Sequence, residues 1–272
     1  MQEKTVLFIG GDMRQRELYE IFKKENFKVY SYGLFSEEQA VNDCDILILP
    51  FPCIKENKIN SPYSQKEILP HEIYKFIKTD TKIFGGKLPK NLFTNNFVFD
   101  FNESENLTYF NAFLTAEAAI GIAIQNSKRS LFNSEILITG MGRISKHLYV
   151  ILKTFNCKIT ICARKETDRA YAYSLGFNAI NFDDLRYNIR NFDFVFNTVP
   201  SIIFSEKILK EANKETLFID LASAPGGFEK STDLNIITAL ALPGKYSPKS
   251  AAEIIYKTIR PFLNKEEKTW KT

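Results

Sequence analysis

The sequence predicts an α/β protein of two parallel-sheet domains, the C-terminal one a Rossmann dinucleotide-binding domain, and three observations carry that prediction. Short apolar runs rich in β-branched and aromatic residues recur along all 272 residues, alternating with stretches of helical period. Two glycine turns, GGD at 10–12 and GMGRIS at 140–145, each close such a run and open such a stretch. The runs themselves are too continuously apolar for strands with one wet face, so both faces of each sheet must be covered.

Taken in order, TVLFI (5–9) reads as a buried strand, GGDMRQ as a turn into a helix with Leu18, Ile21 and Phe22 on one face, and KVYSYG as a second strand. DCDILILP (43–50) and TKIFGG (81–86) continue the sheet, with a helix expected across QKEILPHEIYKFIKT. Prolines at 50, 52 and 62 make FPCIKENKINSPYS an irregular loop at a strand end, where sites are commonly built. Ala116, Ala119, Ile120, Ala123 and Ile124 recur at helical spacing with Thr115 as the expected N-cap, giving a helix that links the domains. Strands then follow at EILITG, KITICA, FDFVFNTVP and TLFIDLA. YSPKSAAEIIYKTIRPFL supplies Ser247 as cap and Pro248 at the first helical position, and the polar stretch from Asn264 reads as a frayed tail. The expected organisation is a substrate domain at 1–111, a linking helix at 112–130, a dinucleotide domain at 131–247 and a C-terminal helix at 248–272 that packs back on the first domain.

Composition narrows the function. A net charge of +4, with 25% charged and 44% hydrophobic residues, is a mild bias towards small anions, and the absence of a Lys/Arg tract argues against nucleic acid. Cys44, Cys53, Cys157 and Cys162 form no CxxC or Cys/His cluster, so they read as reduced core thiols and no metal is expected. The N-terminal apolar run is too short for a signal peptide and no segment is expected to approach the ~18 apolar residues of a membrane span, which places the chain in the cytoplasm with no membrane partner.

The chemistry concentrates at strand ends. Gly140, Gly142, Arg143 and Ile144 form a GxGxxG-type turn with Ser145 at the third glycine position, suited to holding pyrophosphate against backbone N–H groups at a helix start. A ligand-free tight turn satisfies the same pattern. The acid that binds an NAD ribose lies about 20 residues beyond the glycines. Here Ala163, Arg164 and Lys165 fill that neighbourhood, which favours the 2′-phosphate of NADP, with NAD still open and a solvated basic turn as the plain alternative. Asn197, Thr198, Val199 and Pro200 end one strand, and Ala222, Ser223 and the Pro225-Gly226-Gly227 turn end the next; they either line the nicotinamide or simply terminate strands. Gly11, Asp12, Arg14 and Gln15 in the first domain, and Lys245 and Lys249 around the last helix start, form two anion sites suited to a dicarboxylate. His71 and His147 are weak candidates for acid or base.

GGDMRQ, TAEAAIGIAIQ, GMGRI with CARK, FNTVP, DLASAPGG and above all ALPGKYSPKSAAEII together resemble the family of dipicolinate synthase A subunits over nearly the whole chain. The resemblance implies a formate/glycerate dehydrogenase-like arrangement, with a substrate domain and a Rossmann domain hinged about a cleft. It implies oxidation of dihydrodipicolinate, formed from hydroxy-tetrahydrodipicolinate, to dipicolinate with NADP reduction, in the mother cell of a spore-forming bacterium. It also implies a partner, the flavoprotein-like B subunit of dipicolinate synthase, and leaves a homo-oligomer open. On that reading Arg14 and Lys245, with Lys249, hold the carboxylates, and Glu117 or a water accepts the proton, so Glu117 and Lys245 are the expected catalytic groups. Two alternatives stand beside it: another NADP oxidoreductase resembling shikimate dehydrogenase, and a non-catalytic nucleotide-binding subunit.

Overall fold

A computed structural model describes residues 3–35, 40–229 and 233–263; the polar stretch from Asn264 lies outside the described residues. The chain divides into two compact units, Met1–Asn111 with Pro243–Thr272 and Ala112–Leu242. Relative to the expected limits, the second unit starts earlier and the chain returns to the first at Pro243 instead of at 248.

In the first unit β1 (Lys4–Ile9), β2 (Phe27–Tyr32), β3 (Cys44–Ile48), β6 (Ile77–Gly85) and β7 (Phe97–Asp100) form one parallel sheet in the order β2-β1-β3-β6-β7. Side chains alternate between faces along each strand. Val6 and Phe8 therefore join Ile46, Ile48 and Phe84 on one face, under α1 (Met13–Lys24) and α8 (Pro248–Leu263). Leu7 and Ile9 join Leu47, Leu49 and Ile83 on the other, under Cys53, Ile59, Ile68, Ile73 and Phe76 of the β3–β6 connection and Phe93 beyond β6. α8 contributes Ala252, Ile255, Tyr256, Ile259 and Leu263 to the α1 side of this core.

Four local expectations need correction here. The segment at 65–79 holds only a 3-10 helix, Pro70–Lys75, because Pro70 forces Leu69 into extended backbone (φ −88°, ψ 145°) and interrupts any longer helix. The proline-bearing loop contains a small hairpin, β4 (Ile54–Lys55) with β5 (Lys58–Ile59). Thr115 is not the N-cap but lies inside the helix: α2 runs Glu105–Asn126, preceded by Ser104, whose backbone carbonyl accepts Thr108 N–H at 3.0 Å. α2 is also long and apolar enough to cross a membrane by length and composition, contrary to expectation, but 56% of its apolar window is buried inside the protein, as in a core helix.

The second unit is a six-stranded parallel sheet: β8 (Glu135–Thr139), β9 (Lys158–Cys162), β10 (Asn178–Ile180), β11 (Phe194–Asn197), β12 (Leu217–Asp220) and β13 (Asn235–Thr238). Its order, β10-β9-β8-β11-β12-β13, is the 3-2-1-4-5-6 order of dinucleotide-binding sheets, with the switch point between β8 and β11. α2 and α3 (Arg143–Lys153) cover one face over Ile136, Ile138, Phe194 and Phe196. The other face, with Leu137, Val195 and Phe218, is covered by α5 (Leu185–Asn188) and α6 (Glu206–Leu209). All four cysteines are free. Burial pushes the thiols of Cys44, Cys53 and Cys162 up to about 12 and that of Cys157 up to about 11, so they remain protonated core groups.

Candidate functional site

The end of β8 has the shape a pyrophosphate needs. Gly140 sits at φ +86°, where a Cβ would lie 2.8 Å from Thr198 Oγ1, so this turn accepts only glycine. Gly142 is the N-cap of α3, and a Cβ there would have nothing within 4 Å. The first glycine makes the turn and the second leaves open space at a positive helix end, which fits a bound dinucleotide. Ser145 at the third position is fully buried, and its hydroxyl donates to Thr198 Oγ1 at 2.9 Å, since the Thr198 hydroxyl itself donates to Thr139 O at 2.7 Å. Ile144 is half-buried against the core and Arg143 is exposed. His147 on α3 meets the Phe113 ring edge-on at 5.6 Å, a packing role.

The two following strand ends are tied together from inside. Asn197 is fully buried; its Oδ1 accepts from the Thr139 hydroxyl (2.5 Å) and Val199 N–H (3.1 Å), and its Nδ2 donates to Asp220 Oδ1 (2.7 Å) and Val199 O (3.1 Å). Asp220 also accepts from the N–H groups of Ala222 (3.2 Å) and Gly227 (3.0 Å). Asn197 is therefore not a ligand-facing residue, because all four of its amide bonds lie within the chain. Ala222 is likewise buried. A Cβ at Gly227 would lie 2.6 Å from Asn197 Cγ, so the PGG turn is shaped by this clamp and not by a ligand. Val199, Pro200 and Ser223, half-buried or exposed at the carboxyl ends of the strands, remain accessible. Beyond β9, Ala163 is buried and contributes backbone alone, whereas Arg164 and Lys165 are exposed, with Lys165 at the N-cap of α4 (Glu166–Ser174).

In the first unit GGDMRQ builds a helix start. Asp12 caps α1: its Oδ1 accepts Arg14 N–H at 2.9 Å, while its own N–H donates to Gln15 Oε1 at 3.1 Å. Gln15 is fully buried; its Oε1 closes the capping box, while its Nε2 has no hydrogen-bond partner among the described residues. Arg14 is 5% exposed; its Nη2 pairs with Asp12 at 2.7 Å and also donates to Phe51 O, and its guanidinium lies 5.3 Å from the Phe51 ring. The expected bidentate grip on an incoming carboxylate is thus already made to Asp12, and among the described residues only Nη1 carries no hydrogen bond.

Gly11 N–H donates to Asn60 O, fixing the 50–64 loop over the turn. Beside it lies a cavity of about 260 Å³ lined by Lys55, Lys58, Asn60, Ser61 and Lys66, which no motif signals. Gly244 faces Asp12 so closely that a Cβ would lie 2.6 Å from its Oδ2. This contact brings α7 (Leu242–Tyr246) to the α1 cap, so the two anion motifs meet within one unit. Lys245 and Lys249 are both exposed on either side of Ser247, whose buried hydroxyl has no partner among the described residues and so caps nothing. Glu117 is exposed on α2, and His71 is exposed on the 3-10 helix. Among the described residues no cluster could hold a metal ion.

Together these features define an α/β protein whose second unit has the sheet order and glycine turn of a dinucleotide-binding domain, and the family match to an NAD-binding dehydrogenase domain supports an oxidoreductase-type chain. Residues 104–226 match the family model of the D-isomer specific 2-hydroxyacid dehydrogenase, NAD binding domain, and residues 5–95 match that of the N-terminal domain of the dipicolinate synthase A subunit. The chain is similar to the dipicolinate synthase A subunit of Bacillus subtilis (strain 168), with 23% identity over 284 residues and 95% of each chain covered. Its fold is that of the crystal structure of the dipicolinate synthase A subunit from Bacillus halodurans (TM-score 0.83, 23% identity, 97% of this chain and 98% of that one). A transhydrogenase from Sinorhizobium meliloti shares it less closely (TM-score 0.68, 12% identity, 95% and 93% covered). The resemblance read from the motifs therefore holds from end to end.

Proposed function

We propose that this protein oxidises dihydrodipicolinate, formed from hydroxy-tetrahydrodipicolinate, to dipicolinate with NADP as hydride acceptor, in the cytoplasm of a sporulating cell and together with a flavoprotein-like B subunit. The observation that carries the reading is the joining of a dipicolinate-synthase-type first domain to a dinucleotide domain in one chain. The basic end of β9 supports NADP over NAD, since Arg164 and Lys165 stand where a ribose-binding acid would otherwise lie.

The bound nicotinamide supplies the acceptor for the hydride. The chain's part is to orient the substrate. Lys245 and Lys249 take its carboxylates, Arg14 contributes through Nη1 while holding the Asp12 cap, and Glu117 or a water receives the proton. Aromatisation of the ring provides much of the driving force, so positioning two carboxylates matters more than a strong base.

The test is turnover: purified chain, NADP and freshly generated hydroxy-tetrahydrodipicolinate, with dipicolinate and NADPH followed together, in the presence and absence of the B subunit. Equal amounts of both products are expected with the B subunit present, and their formation by this chain alone would make it the dehydrogenase. Products only with the partner present would instead make the chain a required nucleotide-binding half.

A further inference from the structure

The end of β9 carries a basic side chain beyond Arg164 and Lys165. Arg169 on α4 folds back to the turn, and its Nη1 donates to the carbonyls of Ala163 at 2.9 Å and Arg164 at 2.7 Å. The peptide bonds of this turn are trans, because the cis bonds lie at Phe51-Pro52 and Ala224-Pro225. In a trans peptide the C=O and the following N–H point in opposite directions. Two successive carbonyls drawn to one guanidinium therefore turn the N–H groups of Arg164 and Lys165 to the far side, and neither has an acceptor among the described residues. Successive N–H groups presented in this way form an anion-accepting concavity.

We infer that Arg169 is the positioning residue for nucleotide selectivity. It presets the turn at 163–165 so that two backbone N–H donors, the Arg164 guanidinium and the Lys165 ammonium receive the 2′-phosphate. This deepens the NADP reading above and rests on it. Net charge alone does not make the discrimination, because Glu166 and Asp168 in the first turn of α4 oppose Arg164, Lys165 and Arg169. Geometry must decide it. By engaging both carbonyls, Arg169 also removes two negative dipole ends that would otherwise face an incoming phosphate.

The test is calorimetric titration of the full chain with adenosine 2′,5′-bisphosphate and with adenosine 5′-monophosphate, which needs no turnover. The unaltered protein should bind the bisphosphate more tightly. Arg169→Gln should weaken bisphosphate binding roughly tenfold and leave the monophosphate unchanged, with Arg169→Lys, a single-headed donor, in between. Equal weakening of both nucleotides would reduce Arg169 to a structural brace and overturn the inference, as would no change for either. If the unaltered protein shows no preference for the 2′-phosphate, the NADP reading itself fails, and this role with it.

Discussion

At the scale of single residues, glycines that look alike in the sequence do different work. Gly142 has open space where its Cβ would be, at a backbone conformation that any residue adopts (φ −80°), whereas a Cβ at Gly227 would be driven into the Asn197 amide. Gly142→Ala should therefore cost only about 0.5–1 kcal/mol, the N-cap preference for glycine over alanine, while weakening nucleotide binding, since the added methyl group occupies the approach to the helix N–H groups. Gly227→Ala should cost about 1–3 kcal/mol through overpacking and loss of the Asp220 bond. Denaturant unfolding beside nucleotide titration separates the two, and a Gly142→Ala variant that binds nucleotide normally would remove the pyrophosphate from this turn. Arg14 gives the complementary lesson. Its type and position beside a glycine turn mark an anion partner correctly, but the partner is Asp12 two residues away, a pairing that spacing alone does not distinguish from a ligand.

At the scale of elements, legibility follows burial. The central strands β1, β3, β8, β9, β11 and β12 stand out because both their faces are covered and their sequences are largely apolar runs. The edge strands β7, β10 and β13 do not, because each lies on a sheet margin with part of its length exposed, which breaks the apolar run. The helix expected across 65–79 fails at Pro70, and α2 begins ten residues before Thr115 because nothing between Leu107 and Asn126 breaks a helix. Of the candidate site, the glycine turn and the exposed bases are legible from residue type. The Asn197–Asp220 clamp and Arg169 are not, since both depend on contacts between distant or folded-back segments. α8 makes the point energetically, because a C-terminal helix completes the core of the N-terminal sheet. Ile259 is fully buried there, so Ile259→Ala should cost about 2–5 kcal/mol and show as a lower unfolding midpoint. A cost below about 1 kcal/mol would mean that α8 contributes little to that core.

At the scale of the molecule, the chain leaves its first unit along α2 and returns at Pro243, yet each unit keeps its own apolar clusters. Two separate cores allow two unfolding steps, coupled only as far as the crossing segments transmit. The features that fit a dinucleotide all lie in the second unit: Gly140, Gly142 and the basic end of β9. A ligand that binds one folded unit stabilises that unit by mass action, about 2.7 kcal/mol at a hundred times its dissociation constant. Calorimetry should therefore resolve two transitions, with saturating NADP raising one by roughly 5–15 °C and leaving the other in place. Ile259→Ala should lower the transition that NADP does not move, because its side chain belongs to the other core. A single transition shifted as a whole by both perturbations would show that the two units fold as one cooperative body.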